Sequence, residues 1–438
     1  MKDEKQDEKK TDSFGTGSLA WLLLDWAASA FSTLLITLLV AYVEKVVFAD
    51  RAWGVDGGVV WAWTLAVAML ASAVSTPFLA AWADQRRAHK AALMAGVILG
   101  SGALLLLGAV PPSARLAVVA CIVIASVGFD IDAVFTGSLL PRIASGHAAD
   151  RLSAGGFALG YAGGAIALVA GTTIVAAHDR LGLTTTGGLR AAFIFTGVWW
   201  LLFSLPAAWT RFAEGDPDET TASSVATLWA FARDLFDPHA ADDQVKALGR
   251  VLLGAVLSMG AVQTAIAQFS SVALEEFHLD NSELVKLVLL VQLVALPGAL
   301  AVGWLSARWH RQGALGVCLI GWVAVLLLAW FVQTKMQLYA LAVLLAVVLG
   351  GVQSVIRALV AGLAPSGRFG ATFGLMHVGT KLSGFVASLL FGLVLAATGL
   401  PRAGLLVLLF QLLAGWWLLG RSIAVTQAQL SPSTSRIE

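Results

Sequence analysis

The chain has 438 residues, of which 58% are hydrophobic and 13% charged, and its formal net charge is +1 at pH 7. Soluble globular proteins carry about a quarter charged residues, so this composition indicates a membrane protein. The near-zero net charge excludes a strongly basic nucleic-acid-binding protein. The two cysteines, Cys121 and Cys318, lie in apolar runs and favour neither a zinc site nor a disulfide framework.

Residues 1–18 form a charged segment of mixed sign without a small-residue cleavage site, which predicts a cytoplasmic tail and no signal peptide. Twelve apolar runs follow, each near the length of about 20 residues that spans a bilayer. The runs lie near residues 19–43, 59–82, 91–110, 116–140, 154–177, 191–210, 249–274, 283–306, 313–333, 337–362, 370–397 and 401–420. We therefore expect an all-α membrane protein with 12 transmembrane helices.

The distribution of positive charge predicts the orientation of these segments. With a cytoplasmic N-terminus, 18 of the 28 Lys and Arg residues fall in cytoplasmic segments and 7 in outside segments. Cytoplasmic loops carry the excess of Lys and Arg in multi-pass proteins. Both termini are therefore expected in the cytoplasm.

Two halves of six segments each are predicted, residues 19–210 and 249–420, followed by a cytoplasmic tail over 421–438. The connection 211–248 contains "VATLWAFARDLF", whose apolar residues recur at helical spacing and predict an amphipathic helix at the inner interface. This helix is either a plain linker or a regulatory element. Weak sequence matches at equivalent places, "FLAAWADQRRAHK" with "LAVGWLSARWHRQG", predict two six-helix repeats around a central cavity, as in transporters.

The first segment contains a polar stripe. Asp25, Ser29 and Thr33 are four residues apart and share one helix face, which Ser32 and Thr37 extend. An ionisable residue near the bilayer centre costs about 2.5–3.5 kcal/mol, so Asp25 suggests a functional site. We expect this face to line a cavity; helix packing through hydrogen bonds is the alternative.

The fourth segment contains two acids, Asp130 and Asp132. Two residues of separation place them about 200° apart around a helix, so they cannot both face one cavity. One is expected in the transport pathway and the other against a neighbouring helix or a basic partner. The spacing argues against a paired-carboxylate hydrolase site.

The tenth segment contains Gln353 and Arg357. Aligning Pro141 with Pro365 places Asp132 and Arg357 at similar depths in opposite halves, which suggests a cytoplasmic-side ion pair that closes a gate. The alternative is an arginine that extends to the inner interface or pairs within its own half.

The eleventh segment places His377 and Lys381 on one face, and Lys381 lies about 16 Å into the membrane. A lysine at this depth needs an anion, either part of a substrate or one of the aspartates. Intramembrane acids thus occupy the first half and bases the second. This arrangement suits a zwitterion such as an amino acid, an anion moved with protons, or a state closed by charge pairs.

Motifs of enzymes and ATPases are missing from the sequence. It contains no G-x-x-x-x-G-K-[ST], H-E-x-x-H, C-x-x-C or G-x-S-x-G pattern. We therefore predict neither an enzyme nor a metal or other cofactor. The glycine-rich "SAGGFALGYAGG" lies inside the fifth segment, where small residues favour close helix contact.

Five ordered motifs carry a resemblance to a known family. They are "DWAAS" from Asp25, "FTGSLLP" from Phe135, "QLVALPGA" from Gln292, "GGVQ" from Gly350 with Arg357, and "FG" at Phe373 with Lys381. The chain resembles the major facilitator superfamily, and within it the vacuole-effluxer branch typified by fungal autophagy-related amino-acid exporters. The resemblance implies a major facilitator fold, alternating access between two six-helix halves, and export of an amino acid or similar zwitterion.

The chain departs from this branch at Ala28, Thr136 and Gly137, where the family has asparagine, tyrosine and asparagine. The lost hydrogen-bonding groups put the family's substrate in doubt. The superfamily's loop signature after the second helix survives as Asp84, Arg86 and Arg87, and its second-half counterpart as Arg308. The resemblance implies that these four residues belong to a gating loop.

These observations predict a secondary transporter, coupled to protons, with a small-molecule substrate bound between the halves. The candidate binding or coupling residues are Asp25, Ser29, Thr33, Asp130, Asp132, Gln263, Gln268, Gln353, Arg357, His377 and Lys381. Asp130 or Asp132 is the favoured protonation site, since a dry environment favours a neutral carboxyl group. We expect a monomer in a bacterial inner membrane, with no nucleic-acid partner. The alternatives are a drug or lipid-like exporter and a non-transporting scaffold or receptor.

Overall fold

A computed structural model describes residues 16–50, 53–54, 57–212, 225–236, 243–277, 279, 281–365, 368–398 and 401–430. Within these ranges the regular structure is entirely helical. Twelve helices are long and apolar enough to cross a membrane, which confirms the predicted fold class.

Six of these helices form the first half of the molecule. They are α1 (Thr16–Leu34), α2 (Gly57–Arg86), α3 (His89–Ala109), α4 (Arg115–Ile143), α5 (Gly146–Ala176) and α6 (Thr185–Trp209). The α1 span continues to Val47 through two π-helical turns, Leu35–Leu39 and Val43–Val47, which flank one short α-helical turn.

A short helix and six longer ones complete the chain. They are α7 (Val225–Phe236), α8 (Asp243–Glu276), α9 (Asn281–Arg308), α10 (Arg311–Leu328), α11 (Lys335–Leu363), α12 (Phe369–Thr398) and α13 (Pro401–Leu430). The membrane helices tolerate internal prolines, such as Pro77 in α2 and Pro297 in α9. Neighbouring helices can satisfy the backbone groups that a proline frees.

Glycines allow close approach within the first half. A Cβ atom on Gly128 of α4 would lie 2.7 Å from the Gly100 Cα atom of α3. The Trp200 ring of α6 lies directly over Gly100. Small residues permit such contacts where lipid supplies no hydrophobic driving force between helices.

The two most extensive contacts between the halves are α2 with α12 and α5 with α9. Ala80 of α2 lies against Gly374 of α12, where an added Cβ would be 3.0 Å from the Ala80 Cβ atom. Ala154 of α5 lies against Gly303 of α9 in the same way. These two contacts bring the intramembrane charges of the first half close to those of the second.

The amphipathic helix α7 is more deeply packed than an interfacial position implies. Phe231 and Leu235 are 2% and 3% exposed, and the Leu235 backbone contacts Gly249 of α8. The Arg368 guanidinium, just before α12, lies 4.8 Å from the centre of the Phe231 ring. The segment connecting the halves therefore packs directly on the second half.

The helix α5 begins at Gly146, well before the predicted residue 154. The apolar run near 154–177 marks only part of this helix, because charged residues end an apolar run but do not end a helix. Asp150 is buried here and accepts a hydrogen bond from Arg311 of α10 at 2.6 Å. The helix thus continues past the apolar run, and its single acidic residue pairs with the opposite half.

Candidate functional site

Asp130 on α4 is the centre of a charge cluster that joins the two halves. Its Oδ1 atom lies 2.9 Å from Lys381 Nζ and 3.2 Å from His377 Nε2. Both bases are on α12, four residues apart, so one helix face presents them to the same carboxylate. The three side chains are only 4–17% exposed.

This cluster lies deep in the membrane. Lys381 is about 18 Å along α12 from Phe369, and Asp130 is about 20 Å along α4 from Ile143. The hydrocarbon core is about 30 Å thick, so both positions are near its centre. A charge pair at this depth is costly unless both charges have partners, which the cluster provides.

Asp132, two residues further along α4, faces the interior of the first half. Its carboxylate accepts hydrogen bonds from Trp200 Nε1 at 2.9 Å and from Thr136 Oγ1 at 3.0 Å. The residue is 1% exposed, and no basic group of the described residues lies within 4.0 Å. Asp130 is therefore the acid that faces the other half, as the 200° separation allows.

Arg357 on α11 pairs with Asp25 on α1. The two guanidinium nitrogens Nη2 and Nη1 donate to the carboxylate oxygens at 2.9 and 3.3 Å. Ser153 of α5 accepts two further bonds from Arg357, through its hydroxyl at 3.0 Å and its carbonyl at 2.8 Å. The hypothesis that paired Arg357 with Asp132 is wrong in its partner, because Asp132 faces α6. A cross-half ion pair of Arg357 nevertheless exists.

Two aromatic rings complete the surroundings of Arg357. The guanidinium carbon lies 4.6 Å from the Trp21 ring centre and 4.3 Å from that of Phe157. A planar guanidinium stacks on aromatic faces, which an ammonium group does less well. Trp21 in turn donates from Nε1 to the Thr136 carbonyl at 2.8 Å. Sequence reasoning missed Ser153, Trp21 and Phe157, because no intramembrane charge marks them.

The polar stripe of α1 packs against the glycine face of α5 in this structure and does not line an open cavity. An added Cβ at Gly160 would lie 2.7 Å from Ser29 Oγ, and one at Gly164 would lie 2.6 Å from Thr33 Oγ1. Thr33 also accepts a hydrogen bond from Gln292 Nε2 of α9 at 2.7 Å. In this conformation the stripe takes part in helix packing, with one bond to the opposite half.

Asp84, at the cytoplasmic end of α2, caps the first turn of α12. It accepts from the backbone N–H groups of Gly370 at 3.0 Å and Ala371 at 2.7 Å. A carboxylate is favourable at a helix N-terminus because of the unpaired N–H groups and the helix dipole. His89 Nε2 lies 2.7 Å from the same carboxylate, and Arg142 lies 3.3 Å from that histidine nitrogen.

The other residues of the predicted gating loop are less closely placed. Arg86 is exposed, and Arg87 has a left-handed backbone with φ of 52° in the turn to α3. Arg308 lies over Trp304 of its own helix, 5.6 Å from the ring centre. In the second half, the inter-half ion pair is made instead by Arg311 with Asp150, which the sequence reasoning did not identify.

The predicted glutamines do not join these clusters. Gln353 donates to the Leu349 carbonyl of its own helix at 3.4 Å, and Gln263 is exposed on α8. The side chain of Gln268 lies outside the described residues. Among the described residues no group of three or more His, Cys, Asp and Glu side chains could hold a metal ion.

These contacts close the cytoplasmic side of the interface. Phe373 of α12, which is 2% exposed, packs on Gly137 of α4, where an added Cβ would be 2.8 Å from its ring. The pairs Asp25–Arg357, Asp150–Arg311 and the Asp84 cap all lie on the cytoplasmic side of the Asp130 cluster. Opening the cytoplasmic side of the interface between the halves therefore requires breaking several polar contacts.

Comparison with protein families identifies the family that the chain matches. The family model described as "Vacuole effluxer Atg22 like" matches residues 53–429. The uncharacterized MFS-type transporter YxiO of Bacillus subtilis is 23% identical over 402 residues, covering 90% of this chain and 92% of that protein. Autophagy-related protein 22 of Yarrowia lipolytica is 27% identical over 289 residues, or 60% of this chain. The chain matches 48% of the length of that fungal relative.

Solved structures share the fold. The fucose:proton symporter FucP of E. coli superposes with a TM-score of 0.68 at 14% identity, covering 93% of this chain and 98% of that chain. The human organic anion transporter MFSD10 superposes with a TM-score of 0.64 at 17% identity, covering 92% and 98%. Identities this low support a common architecture alone.

Proposed function

This chain belongs to the vacuole effluxer Atg22-like family of major facilitator transporters, and we propose that it exports a small zwitterion, such as an amino acid, in exchange for protons. The observation that carries the proposal is the Asp130 cluster, in which an acid of one half faces two bases of the other near the membrane centre. Such a cluster offers a carboxylate for a substrate ammonium group and a lysine for a substrate carboxylate.

The cluster also offers a route to proton coupling. Lys381 neutralises Asp130 while the two side chains are 2.9 Å apart. A bound substrate would replace this pairing, with its carboxylate at Lys381 and its ammonium group at Asp130. When the substrate leaves and Asp130 has no cationic partner, the carboxylate in its dry environment favours taking up a proton, so the proton and the substrate ammonium group compete for Asp130. Proton binding and substrate binding at one cluster then depend on each other, as ion coupling requires.

The remaining intramembrane charges are proposed to form a gate on the cytoplasmic side. Asp25 with Arg357 and Asp150 with Arg311 are gate pairs, which hold the halves together when the site is closed to the cytoplasm. Opening to the cytoplasm separates them while the packed halves move as units. The proposed location is a bacterial plasma membrane, which is the inner membrane where a cell has two, from the similarity to the Bacillus protein over 90% of this chain.

A proton-flux measurement in liposomes tests the proposal. The purified protein is reconstituted with a pH dye inside, and amino acids are added one class at a time to the wild type, Asp130→Asn and Asp132→Asn. Asp132 is the matched control, because it is an equally buried acid two residues away that faces the first half alone. We expect flux with one class of amino acid, lost in Asp130→Asn and retained in Asp132→Asn.

Two other results would overturn parts of the proposal. Equal flux in the wild type and Asp130→Asn would remove Asp130 from coupling. Absence of flux with every amino acid, in vesicles shown to be intact, would exclude the amino-acid class. It would direct the search to organic anions, drugs and lipids.

A further inference from the structure

An apolar groove of about 450 Å³ lies between the two halves, outside the charge clusters. Its walls are α2 of the first half and α8 and α12 of the second, and the linker helix α7 adjoins it through Ala232 and Leu235. The walls include the apolar side chains of Val74, Phe78, Leu253, Val256, Leu375 and Leu382. None of the residues that line it is charged, so the groove does not suit a zwitterionic substrate.

The groove opens toward the bilayer. Val74, Phe78 and Leu382 are 51–56% exposed, and Leu253 is 39% exposed. These side chains belong to membrane-spanning helices, so their exposed surfaces face hydrocarbon. Lipid acyl chains are therefore the molecules that surround this opening.

The groove lies mainly in the cytoplasmic leaflet. Phe78 is about 12 Å along α2 from its cytoplasmic end at Arg86, and Leu375 is about 9 Å along α12 from Phe369. Leu382, at the far end of the groove, is about 20 Å along the same helix. An acyl chain that enters from the cytoplasmic leaflet matches this depth.

Two arginines stand at the cytoplasmic end of the groove. Arg250 precedes Leu253 by one turn of α8 and is exposed, and Arg368 immediately precedes α12 with its guanidinium over Phe231. Neither has an acidic side chain of the described residues within 4.0 Å. Arg233, beside the groove residue Ala232, differs because it lies 3.9 Å from Asp234. Arginine binds phosphate with geometric specificity, and basic sites between membrane helices on this side bind lipid head groups.

We propose that a phospholipid of the cytoplasmic leaflet binds here, with an acyl chain in the groove and its phosphate group at Arg250 and Arg368. The walls come from both halves, so the groove changes shape whenever α2 moves relative to α8 and α12. This site is independent of the identity of the transported solute.

Photo-crosslinking tests the site. The protein is placed in nanodiscs that contain phosphatidylglycerol with a diazirine in its acyl chain, irradiated, and digested for peptide mapping. We expect label concentrated on the groove residues of α2, α8 and α12. Ala73→Trp, which fills the groove, should abolish most of that label. Ala301→Trp, at an exposed position of α9, is the matched control and should leave the groove label unchanged.

A second pair of variants tests the phosphate contact without altering the groove. Arg250→Gln and Arg368→Gln should each lower groove labelling roughly fivefold, as expected for one cation at an anionic lipid surface. Arg211→Gln, at the cytoplasmic end of α6, removes the same charge elsewhere and should have no effect. Groove labelling no denser than that of the α9 surface would overturn the site. Equal labelling of wild type, Arg250→Gln and Arg368→Gln would overturn its phosphate contact.

Discussion

At the scale of single residues, Asp130 is both buried in the membrane and paired with charged groups. It is 3% exposed, yet it has two basic neighbours on another helix. A buried ion pair contributes little net stability, but removing one partner leaves an uncompensated charge and costs about 3–5 kcal/mol. The pair is therefore difficult to alter for structural reasons alone, and a test of its function must separate the two effects.

A charge exchange makes that separation. Lys381→Ala should lower the melting temperature of the purified protein, because Asp130 loses its closest cation. Combining Asp130→Lys with Lys381→Asp should restore much of the melting temperature but not transport, since the carboxylate proposed to bind the proton then belongs to the other half. Restored transport in the exchanged protein would show that the pair acts as a structural contact and that the position of the carboxylate does not matter for coupling.

The Asp25–Arg357 pair offers a second prediction at this scale. Asp25→Asn removes the charge of a bidentate acceptor. The side chains of Asp25 and Arg357 are 21% and 11% exposed. The closed state should therefore lose about 2 kcal/mol of stability, near the lower end of the range for buried pairs. We expect the population open to the cytoplasm to rise up to roughly thirtyfold.

Accessibility of a cysteine at the interface measures this shift. Ala80 is fully buried against Gly374, so Ala80→Cys in a background with Cys121 and Cys318 replaced by alanine reports opening. Its labelling by an impermeant maleimide from the cytoplasmic side should accelerate with Asp25→Asn. Ser32→Ala, on the same helix, removes only a hydroxyl that bonds within α1 and should leave the rate unchanged.

At the scale of secondary-structure elements, glycines fix how closely α1 and α5 approach. Gly160→Ala would place a Cβ 2.7 Å from Ser29 Oγ and 3.2 Å from the Asp25 carbonyl. Overpacking of this kind costs about 1–3 kcal/mol. We expect a lower melting temperature for Gly160→Ala. Gly102→Ala on α3 meets nothing within 4 Å and should be neutral; an equal drop in both variants would contradict the packing argument.

Helix α12 meets α4 through an aromatic side chain on a glycine. Gly137→Leu would collide with Phe373, whose ring lies 2.8 Å from the position of an added Cβ atom. The side chain can fit only if the helices separate, so the conformation open to the cytoplasm should gain population. The Ala80→Cys reporter should then label faster, and unchanged labelling would show that Phe373 moves aside without opening the interface.

At the scale of the whole molecule, the cytoplasmic closure is the sum of contacts from several helices. Asp84 lies in one half and caps a helix of the other, so the cap exists only while the halves are together. Asp84→Ala should cost about 1–2 kcal/mol, as other lost N-caps do, and shift the equilibrium roughly 5- to 30-fold toward opening. The Ala80→Cys rate measures the change, and Arg86→Ala, in the same loop but exposed, is its control.

The sequence by itself determined the number and type of the membrane helices and predicted their orientation. Each segment partitions between water and lipid largely on its own. Apolar runs of spanning length and the distribution of Lys and Arg are therefore sufficient to predict these helices. It also identified Asp25, Asp130, Arg357, His377 and Lys381 as residues that need partners, because a charge in hydrocarbon is costly wherever it lies.

Only the tertiary structure decided which of these residues meet. Asp130 and Asp132 have the same chemistry and nearly the same depth, but helix rotation directs one to Lys381 and the other to Trp200. Arg357 pairs with Asp25, more than 300 positions away in the sequence, because α11 and α1 both pack on α5. Pairing of this kind depends on the rotation, tilt and close approach of several helices at once, which no periodicity within one helix specifies.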